Sequence, residues 1–136
     1  MTDCIFCQIV QGNAPAWKVY EDAHVLAFFD ANPINEYHTL VIPKQHYENI
    51  FDTPLDELQH IIAAIKKITT VYQERLGIKN LQIVNSSGCE AQQDVFHLHF
   101  HIVPRHAGDG QNVRWHPHPE YRERFDGLLE KIGGIE

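Results

Sequence analysis

Three of the chain's ten histidines, His97, His99 and His101, occupy every second position of HLHFH. Imidazole titrates near neutral pH, so this density calls for a chemical reason. Three readings compete. The ladder could be a solvated face rich in histidine by chance. It could bind a metal, since two histidines one residue apart on a strand can both reach one ion, given a further His or carboxylate. It could also perform nucleophilic catalysis at phosphorus. Neutral imidazole is populated at pH 7, its phosphoryl adduct is labile, and flanking imidazoles can donate to phosphate oxygens. A second reactive spacing is Cys4-x-x-Cys7. It suits zinc or a redox pair, with further ligands to be sought elsewhere in the chain.

The elements that must carry these residues are legible. VFHLHFHIV, 95–103, alternates strictly, which predicts a strand. Val95, His97, His99 and His101 then share one face, with neighbouring imidazoles about 6–7 Å apart. Phe96, Leu98, Phe100 and Ile102 face a core. WKVYED and HVLAFFD predict a hairpin, with HTLVIP (38–43) and LQIVN (81–85) as further strands. Asp3 is a candidate cap for a short helix over Cys4–Gln11, stopped by Gly12. Thr53 is a candidate N-cap for a long helix with Pro54 at its first position. Leu55, Leu58, Ile62, Ile65, Tyr72 and Leu76 would form its packing face, and Gly77 would close it. A terminal helix is predicted in EYRERFDGLLEKI. The fold class is α+β: a mostly antiparallel five-stranded sheet, covered on one face by the long helix, with short terminal helices. No repeat or linker interrupts it, so 1–136 is read as one domain.

Composition narrows the partners. With 11 basic and 18 acidic side chains, the net charge of −7 argues against sequence-independent nucleic-acid binding. No apolar run approaches a membrane span. The N-terminus MTDCIFCQIVQG does not resemble a signal peptide, so a cytoplasmic location with reduced cysteines is expected. Cys89 is given no role. His24, His60, His106, His116 and His118 are expected at the surface or in the tail.

AQQDVFHLHFHIVPR strongly resembles the signature of the histidine-triad (HIT) family of nucleotide hydrolases and transferases, His-φ-His-φ-His-φ-φ with φ apolar. CIFCQIVQGNAPAWKVYED, VLAFFDANP and HTLVIPKQH resemble the family's N-terminal half in the same order, so the likeness covers about residues 4–106 and leaves 107–136 as a tail. It implies a HIT-like fold and a Hint-like nucleotide hydrolase acting on purine nucleoside phosphoramidates or related adenosine nucleotides. His99 would attack the α-phosphorus, giving a nucleotidyl-histidine that water hydrolyses. His101 would hydrogen-bond the phosphate, His38 would stand beside it, and His97 would complete the triad. Asp30 matches the ribose-binding acid. Phe6, Ile9 and Phe29 match the base sandwich, and Asn85 and Gln93 match polar positions near phosphate and leaving group. Family members with this Cys pair bind structural zinc through positions matching Cys4, Cys7, His46 and His97. The resemblance also implies a homodimer that extends its sheet across the interface. A tail segment, RWHPHP, could reach a neighbouring active site.

Two departures stand out. Gln92 replaces the glycine of the family's Ala-Gly-Gln, which puts the loop shape in question. Asp94 stands where Ser or Thr often donates to the leaving group. Either its carboxylate points away, or the leaving-group chemistry differs. His101, where transferase branches carry glutamine, favours hydrolysis. Other readings kept open are a dinucleoside polyphosphate hydrolase, a zinc-stabilised nucleotide-binding scaffold, and a catalytic metal on the ladder.

Overall fold

A computed structural model describes residues 3–112 and 114–135. Met1, Thr2, Val113 and Glu136 lie outside the described residues, and with them parts of the N-terminal and tail readings. The order is α1 (Ile5–Val10), β1 (Lys18–Glu21), β2 (Val25–Phe29), β3 (Thr39–Pro43), α2 (Leu55–Leu76), β4 (Leu81–Asn85), β5 (Phe100–Pro104) and α3 (Phe125–Ile132). The five strands form one antiparallel sheet in the order β1-β2-β3-β5-β4. The α+β class and the antiparallel five-stranded sheet agree with the sequence reading.

The hairpin closes as its turn residue requires. Asp22 Oδ1 accepts from the backbone N–H of His24 and of Val25, both at 2.8 Å. Strands β2 and β3 are buried on both faces, so the sheet has two cores. Val25, Ala27, Val41 and Ile102 pack under α2, while Leu26, Phe28, Leu40 and Ile42 pack with Phe6 and Ile9 of α1. Cover by α1 on the second face was not foreseen.

Three local expectations are corrected. Helix α1 is capped by Cys4, whose sulfur accepts from Cys7 N–H, and not by Asp3. Pro54, not Thr53, holds the cap position of α2; the Thr53 hydroxyl donates instead to the Asn49 carbonyl at 2.6 Å. The buried stripe of α2 is Ile61, Ala64, Ile65, Ile68 and Tyr72. Ile62 and Leu55 lie about 100° and about 120° round from its centre at 100° per residue, and are 57% and 70% exposed. Leu76 is also exposed. Gly77 ends the helix as expected, left-handed at φ 70°.

The largest correction concerns the ladder strand. Regular pairing begins at Phe100, not at Val95. Leu98 N–H donates to the Tyr47 carbonyl at 2.8 Å rather than to a strand neighbour. The chain bends over 95–97 because His97 turns into a buried cluster with residues from α1 and the segment after β3. Leu98 and Ile102 still enter the core, but Phe96 is 45% exposed. In the tail, a 3-10 turn over Pro119–Arg124 leads into α3, and no residue of either is buried.

Candidate active site

The bent strand divides its imidazoles between two places. His97 is fully buried beside buried Cys7 and partly buried Cys4 and His46, and one ligand atom from each lies within 4.8 Å of the others. Nδ1 of His97 is 3.3 Å from Cys4 Sγ, 3.6 Å from Cys7 Sγ and 3.2 Å from His46 Nδ1. Cys7 Sγ and His46 Nδ1 are 3.3 Å apart. A tetrahedron of two sulfurs and two nitrogens around zinc has edges of about 3.3–3.8 Å, so the donor set and the spacing both fit zinc. His97 Nε2–H donates to the Pro43 carbonyl at 2.9 Å, which leaves the Nδ1 lone pair for the centre. Burial holds His97 neutral down to about 4. Burial and the adjacent Cys4 push the Cys7 thiol up to about 11. A divalent cation among these atoms reverses that and favours both thiolates.

His99 makes the opposite choice of nitrogen. Its Nδ1 is 2.8 Å from the His97 carbonyl. A carbonyl can only accept, so Nδ1 carries the proton and Nε2 keeps its lone pair. Asn85 Nδ2–H donates to the His99 carbonyl at 3.0 Å, pinning the backbone on the other side. The ring meets Phe6 edge-on at 5.2 Å between centroids and His101 at 5.0 Å.

A second chain of donors fixes His101. Ile34 N–H donates to His38 Nδ1 at 3.0 Å, so the proton of neutral His38 sits on Nε2. That proton points to His101 Nδ1 at 2.9 Å, which leaves His101 with an Nε2–H donor. Asp30 Oδ2 lies 3.5 Å from His38 Nε2. Burial lowers His38, partly opposed by Asp30. Burial, with His99 and His38 nearby, lowers His101 to about 4. Both rings are therefore neutral hydrogen-bonding groups at pH 7, not cations.

His99 and His101 open onto a cleft of about 430 Å³. Phe6, Ile9, Phe28 and Phe29 line its apolar end, and Asp30 and Asp94 also border it. Sequence reading missed Ile5, Leu40 and the exposed Trp17 as wall residues. An exposed tryptophan beside an apolar helix is a signal that could have found the last. Asn85 and Gln93 do not line the cleft. Gln93 is buried, its Oε1 accepting from Gly88 N–H and its Nε2 donating to the carbonyls of Glu48 and Val95, so it shapes the loop. Gln92 adopts the left-handed conformation at φ 72°, so the turn expected of glycine is made without it. Asp94 does not point away; its Oδ1 lies 3.6 Å from His99 Nε2.

Cleft and fold together define a HIT protein. The HIT domain profile matches residues 11–108, and the chain belongs to the HIT family. It is 52% identical over 112 residues to an uncharacterized HIT-like protein of Methanocaldococcus jannaschii, covering 82% of this chain and 86% of that one. It is 36% identical over 130 residues to adenosine 5′-monophosphoramidase of Schizosaccharomyces pombe, covering 95% of each chain. Among solved structures, SMU.412c of Streptococcus mutans superposes with a TM-score of 0.90 at 41% identity, over 97% of this chain and 84% of that one. A zinc-bound histidine-triad protein of Mycobacterium smegmatis gives 0.77 at 37% identity, over 96% of both.

Proposed function

We propose that this protein hydrolyses purine nucleoside phosphoramidates or related nucleotides at the α-phosphate, through a nucleotidyl intermediate on His99. The observation that carries this reading is the bare Nε2 of His99, its tautomer set by the His97 carbonyl, opening onto a cleft with a neutral donor from His101 beside it. In the first step the Nε2 lone pair forms a bond to phosphorus and the P–N bond breaks. The amine leaves with that electron pair and takes a proton from solvent. In the second step water attacks phosphorus, the N–P pair returns to Nε2, the water's proton passes to solvent, and a nucleoside monophosphate is released. Nδ1–H of His99 stays on the His97 carbonyl and stabilises the imidazolium character of the adduct. His101 Nε2–H holds a phosphate oxygen, and His38 fixes the tautomer that lets it do so.

Asp30 accepts from the ribose hydroxyls, and Phe6, Ile9 and Phe29 pack the base. Asn85 acts through the His99 backbone, and Gln93 through the loop. Zinc on Cys4, Cys7, His46 and His97 supplies structural cross-linking, tying α1 to the ladder. The relative named as a phosphoramidase and the zinc-bound neighbour support these two assignments. A homodimer would form through β4, which ends the sheet and exposes Ile83 and Val84. Alkaline quenching during turnover of adenosine 5′-phosphoramidate tests the mechanism, since a P–N bond to imidazole survives base and not acid. A nucleotidyl adduct should appear by mass spectrometry on the peptide carrying His99. Full turnover by His99→Ala would sink it.

A further inference from the structure

The cleft has an unusual charge pattern for a group that must hold phosphate. None of its described lining residues is Lys or Arg, and its two charged side chains, Asp30 and Asp94, are both carboxylates. Its imidazole donor, His101, is kept neutral by burial. Asp94 is the more exposed of the two, at 81% for its side chain, and Oδ1 lies 3.6 Å from the attacking nitrogen. The same oxygen accepts from Val95 N–H at 2.9 Å, which aims the carboxylate. Among the described residues no Lys or Arg pairs with it.

We infer that Asp94 selects the leaving group by charge, favouring neutral or cationic amines on the α-phosphate and disfavouring polyphosphates. This rests on the nucleotide-hydrolase reading above and narrows its substrate class. Phosphorus must come within about 3–3.5 Å of His99 Nε2 before attack. Every substituent on that phosphorus then lies within several ångströms of Asp94. An amine leaves protonated and is attracted to the carboxylate. A polyphosphate brings at least two further negative charges to a cleft whose walls offer no cation to offset them. Two unit charges about 6 Å from a carboxylate in near-aqueous surroundings amount to about a tenfold change in rate. Because Asp94 is exposed, the effect falls as salt rises.

The test compares kcat/KM of the full chain on three adenosine substrates. They are a phosphoramidate of a simple alkylamine, a phosphoramidate of a diamine bearing a free ammonium, and diadenosine tetraphosphate, each at low and high salt. Asp94→Asn keeps an acceptor for Val95 N–H and removes only the charge; Asp94→Glu keeps the charge. The alkylamine-to-tetraphosphate preference should fall about tenfold in Asp94→Asn at low salt, and the diamine-to-tetraphosphate preference further; both should fall less at high salt and stay near wild type in Asp94→Glu. A preference unmoved by Asp94→Asn, or shifted equally by Asp94→Glu, overturns the inference while leaving the hydrolase reading intact, provided His99→Ala is inactive. If the wild type turns over none of the three substrates, or His99→Ala retains the rate, the hydrolase reading fails and takes this one with it.

Discussion

His97 and His99 are two residues apart, buried to a similar degree, and both anchored to a backbone carbonyl. They nevertheless face opposite tasks. Pro43 O takes the Nε2–H of His97, which leaves Nδ1 for a closed set of four protein donors. His97 O takes the Nδ1–H of His99, which leaves Nε2 for an open cleft. A closed set of four leaves no position for substrate, whereas a bare nitrogen in a cleft has a lone pair free to meet one. The role of an imidazole here follows from which nitrogen the backbone occupies.

If that division holds, damage to one cluster should spare the other. The largest effect is expected from His99→Ala: kcat on an adenosine phosphoramidate should drop about 10³-fold or more, with zinc content by atomic absorption unchanged. Lost zinc in that variant would merge the two clusters into one site. Cys4→Ser should act in reverse, destabilising the fold by about 3 kcal/mol or more in urea titration. Its remaining folded fraction should retain most of the turnover. Turnover that chelator abolishes in a still-folded protein, and that added metal restores, would revive a catalytic metal on the ladder. Asp30, His38 and His101 would then be the group to suspect.

The third effect is on pH dependence. Burial lowers His101 in the folded state to about 4 from an ordinary 6.5. Across that window the unfolded chain binds more protons, so this contribution is complete above about 6.5 and is lost as pH falls towards about 4. His101→Gln should flatten the slope of urea midpoint against pH there; an unaltered slope would mean that His101 is not held neutral. The smallest effect concerns the loop beside the cleft. Gln92→Gly relieves a left-handed conformation but loosens the unfolded chain, so a gain of at most about 1 kcal/mol is expected. A clear loss would show that the Gln92 side chain matters.

Much of this was legible before folding. Alternation identified the ladder, turn residues bounded the hairpin, and LQIVN became β4 at the expected bounds. The Cys pair with His46 and His97 was a recognisable set, and the structure brings the four together. Errors came where a local pattern competes with a long-range demand. Phe96 alternates as a core residue, but the bend that carries His97 to the Cys pair turns it outward. Ile61 and Ile62 are equally apolar, and only the angle at which α2 meets the sheet decides which is buried. Thr53 has the chemistry of a cap, yet its hydroxyl is taken by Asn49.

By itself the sequence determined the family, the strand set, the candidate histidines and cysteines and the presence of a carboxylate at position 94, because these depend on residue type and short-range period. Tertiary structure alone decided which nitrogen of each imidazole is free, that His38 orders His101, and that Asp94 turns toward His99. The Pro43 carbonyl that takes the His97 proton and the His38 ring that orders His101 lie 54 and 63 positions away, and the nearer groups, His97 O, Ile34 N–H and Val95 N–H, are aimed by bends of the chain that no local spacing encodes.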